Sequence, residues 1–489
     1  MIKLTGKKEK YLNAVKRAKE KKFVMPTFKQ MKNPELIPRK IKDKLKNVGL
    51  WDVNPLNLFR ITWKNEPTMN GGLYGNTNYI ELPKELTGVD ARIIVLVGKW
   101  FPTGAHKVGA TYGCLAPALT SGNFDPINEK AVWPSTGNYC RGGAYNSQLL
   151  GCDSIAILPE EMSAERFEWL KTVAGEIIAT PGCESNVKEI YDKCHELNAT
   201  RTNITIFNQF AEFGNHLWHY EVTGNAMKDI IENIKTDKTR VAGVCVTSGS
   251  AGCVGSADFI KETYKDAKVC VSEALQCPTL LNNGFGGHKI EGIGDKHIPW
   301  IHNVKNTDMV VAIDDNDCMN IVRLFNDEQG KKYLEKQGIS KELIESLDFL
   351  GISGIANMLT CIKFAKYYEL TSDDVVLTLA TDSMEMYKSR FNELVQREPN
   401  YGVEQASRDF HRHIMGITTD NMLECNYYDK KRIHNLKYYT WVEQQGKTYK
   451  EINEQWYKED YWDNIHNMTD KVDELIEKFN KDTGVLEKI

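Results

Sequence analysis

From about Trp51 to Phe391 the chain alternates short β-branched runs with stretches of helical character, and few architectures accept such a pattern. The runs are Ala91–Val97, Ser154–Leu158, Val241–Val246, Val269–Ser272 and Val375–Leu379. Each is nearly continuous in apolar residues, as a strand covered on both faces requires. Such strands separated by helices predict parallel α/β layers. The 489 residues are 41% hydrophobic, enough for more than one domain with a sizeable core. No apolar run approaches the roughly 18 residues of a membrane span. The opening MIKLTGKKEK is basic but lacks the apolar stretch of a secretory signal. Twelve cysteines are scattered without a C-x-x-C pair, which reads as reduced thiols in a cytoplasmic protein.

The two ends differ from the middle. Residues 1–50 hold 16 Lys/Arg against 4 Asp/Glu, while the whole chain carries a net charge of −4. Charge alone would let this leader touch nucleic acid or anionic lipid. No nucleic-acid motif or aromatic interleaving accompanies it, so a solvated helix and strap lying on an acidic body is expected instead. Past about 395 the chain turns polar and aromatic, and this tail is expected to pack on the core or on a neighbouring subunit. A last helix is read from Asp470, with Asp473 in a capping-box-like position, Val472, Leu475, Ile476 and Phe479 as its apolar face, and Gly484 ending it.

Chemistry concentrates in glycine-rich turns. In Pro102-Thr-Gly-Ala-His-Lys107, the lysine stands at the N-terminal edge of a helix, where dipole and burial would lower its pKa and favour a free amine. An exposed helix lysine beside a turn glycine is the plainer alternative. Ser135-Thr136-Gly137-Asn138 lies at a strand-to-helix turn and offers donors to an anion such as a substrate carboxylate. An ordinary N-cap would read the same. Thr247-Ser248-Gly249-Ser250-Ala251-Gly252 has the G-x-x-G-x-x-G spacing through Gly255, which suits a phosphate held by backbone N–H groups. It is neither the dinucleotide fingerprint nor a Walker A loop. Two further glycine turns, Gly287–Pro299 and Leu350–Asn357, specify no reaction by themselves. His216 and His219 could share a helix face and His411 pairs with His413, but no third ligand stands at suitable spacing, so no metal site is expected.

Taken in order, these segments from about Asn78 to Phe391 resemble the fold-type II pyridoxal-phosphate enzymes, the group of cysteine synthase, cystathionine β-synthase, threonine dehydratase and the tryptophan synthase β subunit. The resemblance implies a Schiff-base lysine at Lys107. It implies a phosphate cradle at Ser248, Gly249, Ser250, Ala251 and Gly252, and a substrate-carboxylate loop at Ser135, Thr136, Gly137 and Asn138. Asn138 would also meet the cofactor's ring hydroxyl, and Ser353 would face the pyridine nitrogen. Gln209 and Gly292 match positions facing the substrate, and Leu379–Tyr387 matches the closing strand and loop. Val108-Gly109 stands where the cysteine synthases have Asp-Arg, and Ser135 stands where the tryptophan synthase β subunit has its catalytic glutamate. The tail shows no regulatory repeat of the cystathionine β-synthase kind.

The resemblance implies an α/β fold of two open twisted sheets flanked by helices, with extra N- and C-terminal segments. The expected division is a leader at 1–50, a large cofactor-binding domain at 51–103 and 215–394, a small mobile domain at 104–214, and an extension at 395–489. The implied cofactor is pyridoxal 5'-phosphate. The implied chemistry is β-elimination or β-replacement on a small amino acid with a leaving group, of the cysteine or O-acetylserine type, in a homodimer. A neutral serine opposite the ring nitrogen weakens the electron sink and suits loss of a β-substituent over transamination. A serine/threonine dehydratase or diamino-acid ammonia-lyase is the alternative, and a cofactor-binding scaffold without turnover is the alternative of another class.

Overall fold

The buried runs form the middle of a seven-stranded sheet in a computed structural model that describes all residues, 1–489. In chain order the strands are β1 (Tyr79–Leu82), β2 (Arg92–Val97), β3 (Lys130–Pro134), β4 (Asp153–Pro159), β5 (Glu176–Thr180), β6 (Ile204–Ile206), β7 (Arg240–Thr247), β8 (Lys268–Ala274), β9 (Met309–Ile313), β10 (Asp374–Ala380) and β11 (Met422–Glu424). The large sheet runs β1-β2-β10-β7-β8-β9-β11, parallel through its centre and antiparallel at both edges. The second sheet, β5-β4-β3-β6, is wholly parallel.

The strand period of two explains why the central runs are apolar throughout. Along β2, Ile94 and Leu96 enter one core while Ile93 and Val95 enter the other, on the opposite face of the sheet. In β10, Val375, Leu377 and Leu379 face the first core, and Val376 and Ala380 the second. The small sheet divides likewise. Val132, Ile155 and Ile157 pack on Ile190, Cys194 and Leu197 of the helix Val187–Thr200, whereas Trp133, Ala156 and Leu158 join the first core. The fold is therefore the expected α/β arrangement of two open sheets flanked by helices.

The terminal segments join this body. Ala14, Val15 and Ala18 of the helix Lys8–Lys21 share the first core with Val472, Ile476 and Phe479 of the helix Met468–Thr483. Gly484 ends that helix in the left-handed conformation, and a short helix, Val485–Lys488, follows. The expected start of the longer helix needs correcting. The helix begins at Met468, and Asp473 points away from its own N-terminus to accept from the backbone N–H groups of Phe28 (2.6 Å) and Lys29 (3.1 Å). A carboxylate at the first turn of a neighbouring helix does the work of a cap for that helix instead. No single helix is long and apolar enough to cross a membrane.

Candidate active site

Loops at the carboxyl ends of the parallel strands converge, as open α/β sheets dispose their sites. After β2 the chain turns through Thr103 (φ 69°) and Gly104 (φ 68°), both left-handed, and enters the helix Lys107–Ser121. A Cβ at Gly104 would meet the Trp51 ring at 2.6 Å, so the turn needs glycine on two counts. This brings Lys107 to the first position of its helix, with Nζ donating to Ser250 Oγ at 3.1 Å. Burial lowers the pKa of that amine, against an opposite pull from Cys253, Asp295 and Glu184.

The Ser250 loop follows β7 and leads into the helix Val254–Thr263. The backbone N–H groups of Gly249, Ser250, Ala251, Gly252 and Cys253 meet no protein acceptor. Five successive free donors at a helix start make an anion cradle. Ala251 holds φ 60°, a strained value for a residue with a Cβ. A Cβ at Gly252 would fall 2.1 Å from Asn215 Oδ1, and one at Gly249 2.7 Å from the Gly292 carbonyl. Asn215 Nδ2 donates to Ser250 Oγ and to the Gln209 carbonyl, both at 3.0 Å, which ties the buried Gln209 to the same loop. Ser248 is fixed through its carbonyl, which accepts from Gly294 N–H at 2.9 Å.

The third loop follows β3. Ser135 Oγ accepts from Gly137 N–H at 2.9 Å, and the helix Asn138–Leu149 begins directly after. Gly137 sits at φ 152°, and a Cβ there would strike Arg166 Nη1 at 2.1 Å. Asn138 donates through Nδ2 to Asp382 (2.6 Å), while its buried Oδ1 has no partner. Gly292, at φ 100°, faces Ser353, whose hydroxyl lies 3.9 Å from where a Cβ would sit. The structure thus brings Lys107, Ser250, Asn215 and Gln209 into one hydrogen-bonded set, and Asn138 and Asp382 into another.

Several buried polar groups around these loops carry no motif in the sequence. Arg166 is fully buried; its guanidinium donates to the Thr136 carbonyl (2.9 Å) and Tyr387 Oη (2.9 Å) and lies 3.3 Å from Glu291. Glu184 is buried beside it and held above the ordinary carboxylate range, first by desolvation. Burial likewise pushes the Asp295 carboxyl up to about 7, against the pull of the Lys107 charge, and its Oδ2 has no partner. His106, the residue before Lys107, is buried with Nε2 3.2 Å from Thr381 Oγ1. Asp295 and Asp382 lay inside segments already singled out. Arg166, Glu184 and Asn215 stand in stretches with no motif, and only tertiary burial marks them. No third ligand stands near His216 in the sequence, but folding brings Asp258 and His466 to it.

Residues 72–331 match the protein family described as "Pyridoxal-phosphate dependent enzyme". A probable cysteine synthase of Bacillus subtilis is 27% identical over 318 residues, covering 65% of this chain and 94% of its own. Cysteine synthase B of Campylobacter jejuni is 27% identical over 317 residues, 65% of this chain and 95% of its own. Among solved structures, a hydrogen sulfide-producing enzyme from Fusobacterium nucleatum superposes with a TM-score of 0.53 at 26% identity, covering 65% of this chain and 88% of that one.

Proposed function

Because this chain belongs to the pyridoxal-phosphate-dependent enzyme family, we propose that the cleft around Lys107 catalyses β-elimination or β-replacement on a small amino acid bearing a leaving group, of the cysteine or O-acetylserine type. The observation that carries this reading is one half-buried amine placed 3.1 Å from the hydroxyl of a loop with five unpaired N–H groups. The residues present fit the cofactor. A phosphate would satisfy donors that no protein acceptor meets, and the glycines at 249 and 252 leave that cradle lined by backbone. When bound, pyridoxal phosphate supplies an electron sink for charge developing at the substrate Cα.

The protein's own residues do the rest. Lys107 is the covalent anchor and, as an amine whose pKa burial lowers, the group that takes and returns the Cα proton. Thr136, Gly137 and Asn138 hold the substrate carboxylate at the start of their helix, with Ser135 fixing the turn through its bond to Gly137. Gln209 and Gly292 border the same space, and Ser353 provides a neutral hydroxyl at its floor. Asp295 is the acid available for a departing β-substituent, since burial keeps it protonatable near neutrality.

In this reading the small domain, 104–214, closes on the large one, 51–103 and 215–394, to exclude water. Supporting ties across the cleft are Asn138 to Asp382, Arg166 to Tyr387, and Glu165 to Ser389 at 2.8 Å. We also infer a cytoplasmic homodimer; all twelve cysteines are free thiols, as a reducing compartment keeps them. Light scattering on purified protein reads the dimer directly.

The test is direct. Purified protein should be yellow, and borohydride should fix the cofactor on the peptide containing Lys107. Lys107→Ala should be folded, colourless and inactive. Incubation with cysteine, O-acetylserine, serine and threonine, with sulfide, acetate, ammonia and keto acid measured, should give turnover of the first two. A still-yellow Lys107→Ala protein, with cofactor on another lysine, would refute the site.

A further inference from the structure

Away from the Lys107 amine, folding gathers three ligand-type side chains that the sequence spreads over 250 positions. His216 lies on the helix Phe213–Trp218, Asp258 on the helix Val254–Thr263, and His466 ends the helix Tyr461–His466. His216 and Asp258 are wholly buried and His466 is 6% exposed. The two imidazole Nε2 atoms stand 3.1 Å apart, and Asp258 Oδ2 stands 3.7 Å from the first and 3.9 Å from the second. The carboxylate is too far from either ring for a hydrogen bond. A point equidistant from the three atoms, however, lies about 2.1 Å from each, which is the length of a zinc–nitrogen or zinc–oxygen bond.

From this convergence we propose that His216, Asp258 and His466 bind one zinc ion that ties the C-terminal extension to the cofactor lobe. Two imidazoles and a carboxylate suit zinc rather than magnesium or calcium, which take oxygen ligands. Neighbouring groups lie against Asp258 and His466, whereas His216 Nδ1 is buried without a hydrogen-bond partner. His466 Nδ1 lies 3.0 Å from Glu262 Oε1, and Tyr220 both donates its hydroxyl to Glu262 and stacks its ring on His466 at 3.8 Å. Asp258 is held by Asn303 Nδ2 at 2.9 Å and Asn306 Nδ2 at 2.6 Å. Two Nε2 atoms at 3.1 Å can instead share a single proton. That arrangement leaves Asp258 bonded only to the two asparagine amides and gives it no reason to point between the rings.

The placement gives the ion a structural consequence. His216 follows Asn215, which holds Ser250 Oγ, and Asp258 rides on the helix that begins where the Ser248–Gly252 loop ends. A second buried trio, His106, His219 and Cys253, has Cys253 Sγ 3.9 and 3.8 Å from the ring nitrogens and lies against Lys107. It is the internal control.

Protein stripped with a chelator and reloaded with zinc should hold about one ion per chain by elemental analysis, and its melting temperature should rise on loading. X-ray absorption at the zinc edge should show nitrogen and oxygen neighbours at about 2.0–2.1 Å without sulfur. His466→Ala should lose the ion while circular dichroism stays unchanged, and Cys253→Ser should keep it. Three results overturn the proposal: no stoichiometric uptake and no thermal response in the stripped protein, full occupancy in His466→Ala, or sulfur in the zinc shell. Should His466→Ala fail to fold, the absorption spectrum of the unaltered protein decides alone.

Discussion

Lys107 and Asp295 illustrate how burial assigns opposite duties to an amine and a carboxyl. Removing water disfavours the charged form of each, so the amine loses its proton more readily and the acid keeps its own longer. An acid that must donate is competent only while protonated. With the Asp295 carboxyl pushed up to about 7, the rate should fall as pH rises through that value. In Asp295→Asn this alkaline limb should vanish and kcat drop by about 10²–10³; a limb that persists in the variant would remove Asp295 from the reaction. A second residue, Gly252, has a steric duty. Its alanine would press on Asn215 Oδ1 at 2.1 Å, push Asn215 off Ser250, and raise the cofactor dissociation constant about tenfold, roughly the free energy of one hydrogen bond. Spectrophotometric titration of the stripped protein measures it. The candidate residues that the sequence singles out, Lys107, Asn138, Gly252 and Ser353, stand in or directly after glycine turns, where backbone demands show locally. Asn215, Arg166 and Glu184 carry no local signal, because their roles arise from burial against segments distant in the chain.

The same divide holds among elements. Strands β2, β7, β8 and β10 announce themselves because both faces are covered, which forces an unbroken apolar run. The edge strand β1 alternates exposed and covered positions, and β11 is three residues whose partner β9 lies more than a hundred positions earlier. Such strands exist by pairing, not by composition. The helix Met468–Thr483 shows the limit at its start. Asp473 stands one turn inside, where spacing suggests it serves its own helix, yet its two oxygens accept from Phe28 and Lys29. A cap supplied from 445 positions away is invisible to local reading. Asp473→Ala should therefore loosen the short helix Phe28–Lys32 and cost about 1–2 kcal/mol of stability. Hydrogen exchange would show the loss at residues 28–32 first. Faster exchange confined to 468–474 would instead mean that Asp473 caps its own helix.

At the scale of the molecule, the chain after 395 packs against the α/β body. Basic residues of the leader meet acids of the body and the tail, as in Lys10 with Glu129 and Lys29 with Asp470, but such partly exposed pairs contribute little each. The stronger tie is buried. The Lys437 ammonium is enclosed and donates to the Trp300 carbonyl (2.9 Å), the His302 carbonyl (2.8 Å) and Gln455 Oε1 (2.7 Å). Three donors meet three acceptors, so the group is fully satisfied where water does not reach. Close by, Trp441 Nε1 donates to the Ile298 carbonyl at 2.8 Å. Both contacts fall on the segment leaving Gly292 and Asp295, so the extension fixes the far end of the loop that borders the cleft. Lys437→Met keeps the length of the side chain but removes three buried hydrogen bonds and leaves Gln455 Oε1 without its donor. It should lower stability by about 3 kcal/mol, read as a smaller midpoint of chemical unfolding at unchanged slope. Because the loop loses one anchor, KM for the amino acid should rise while the absorbance of bound cofactor stays the same. A destabilised variant with an unaltered KM would confine Lys437 to holding the extension in place, and an unaltered midpoint would show that the ammonium is not buried as described.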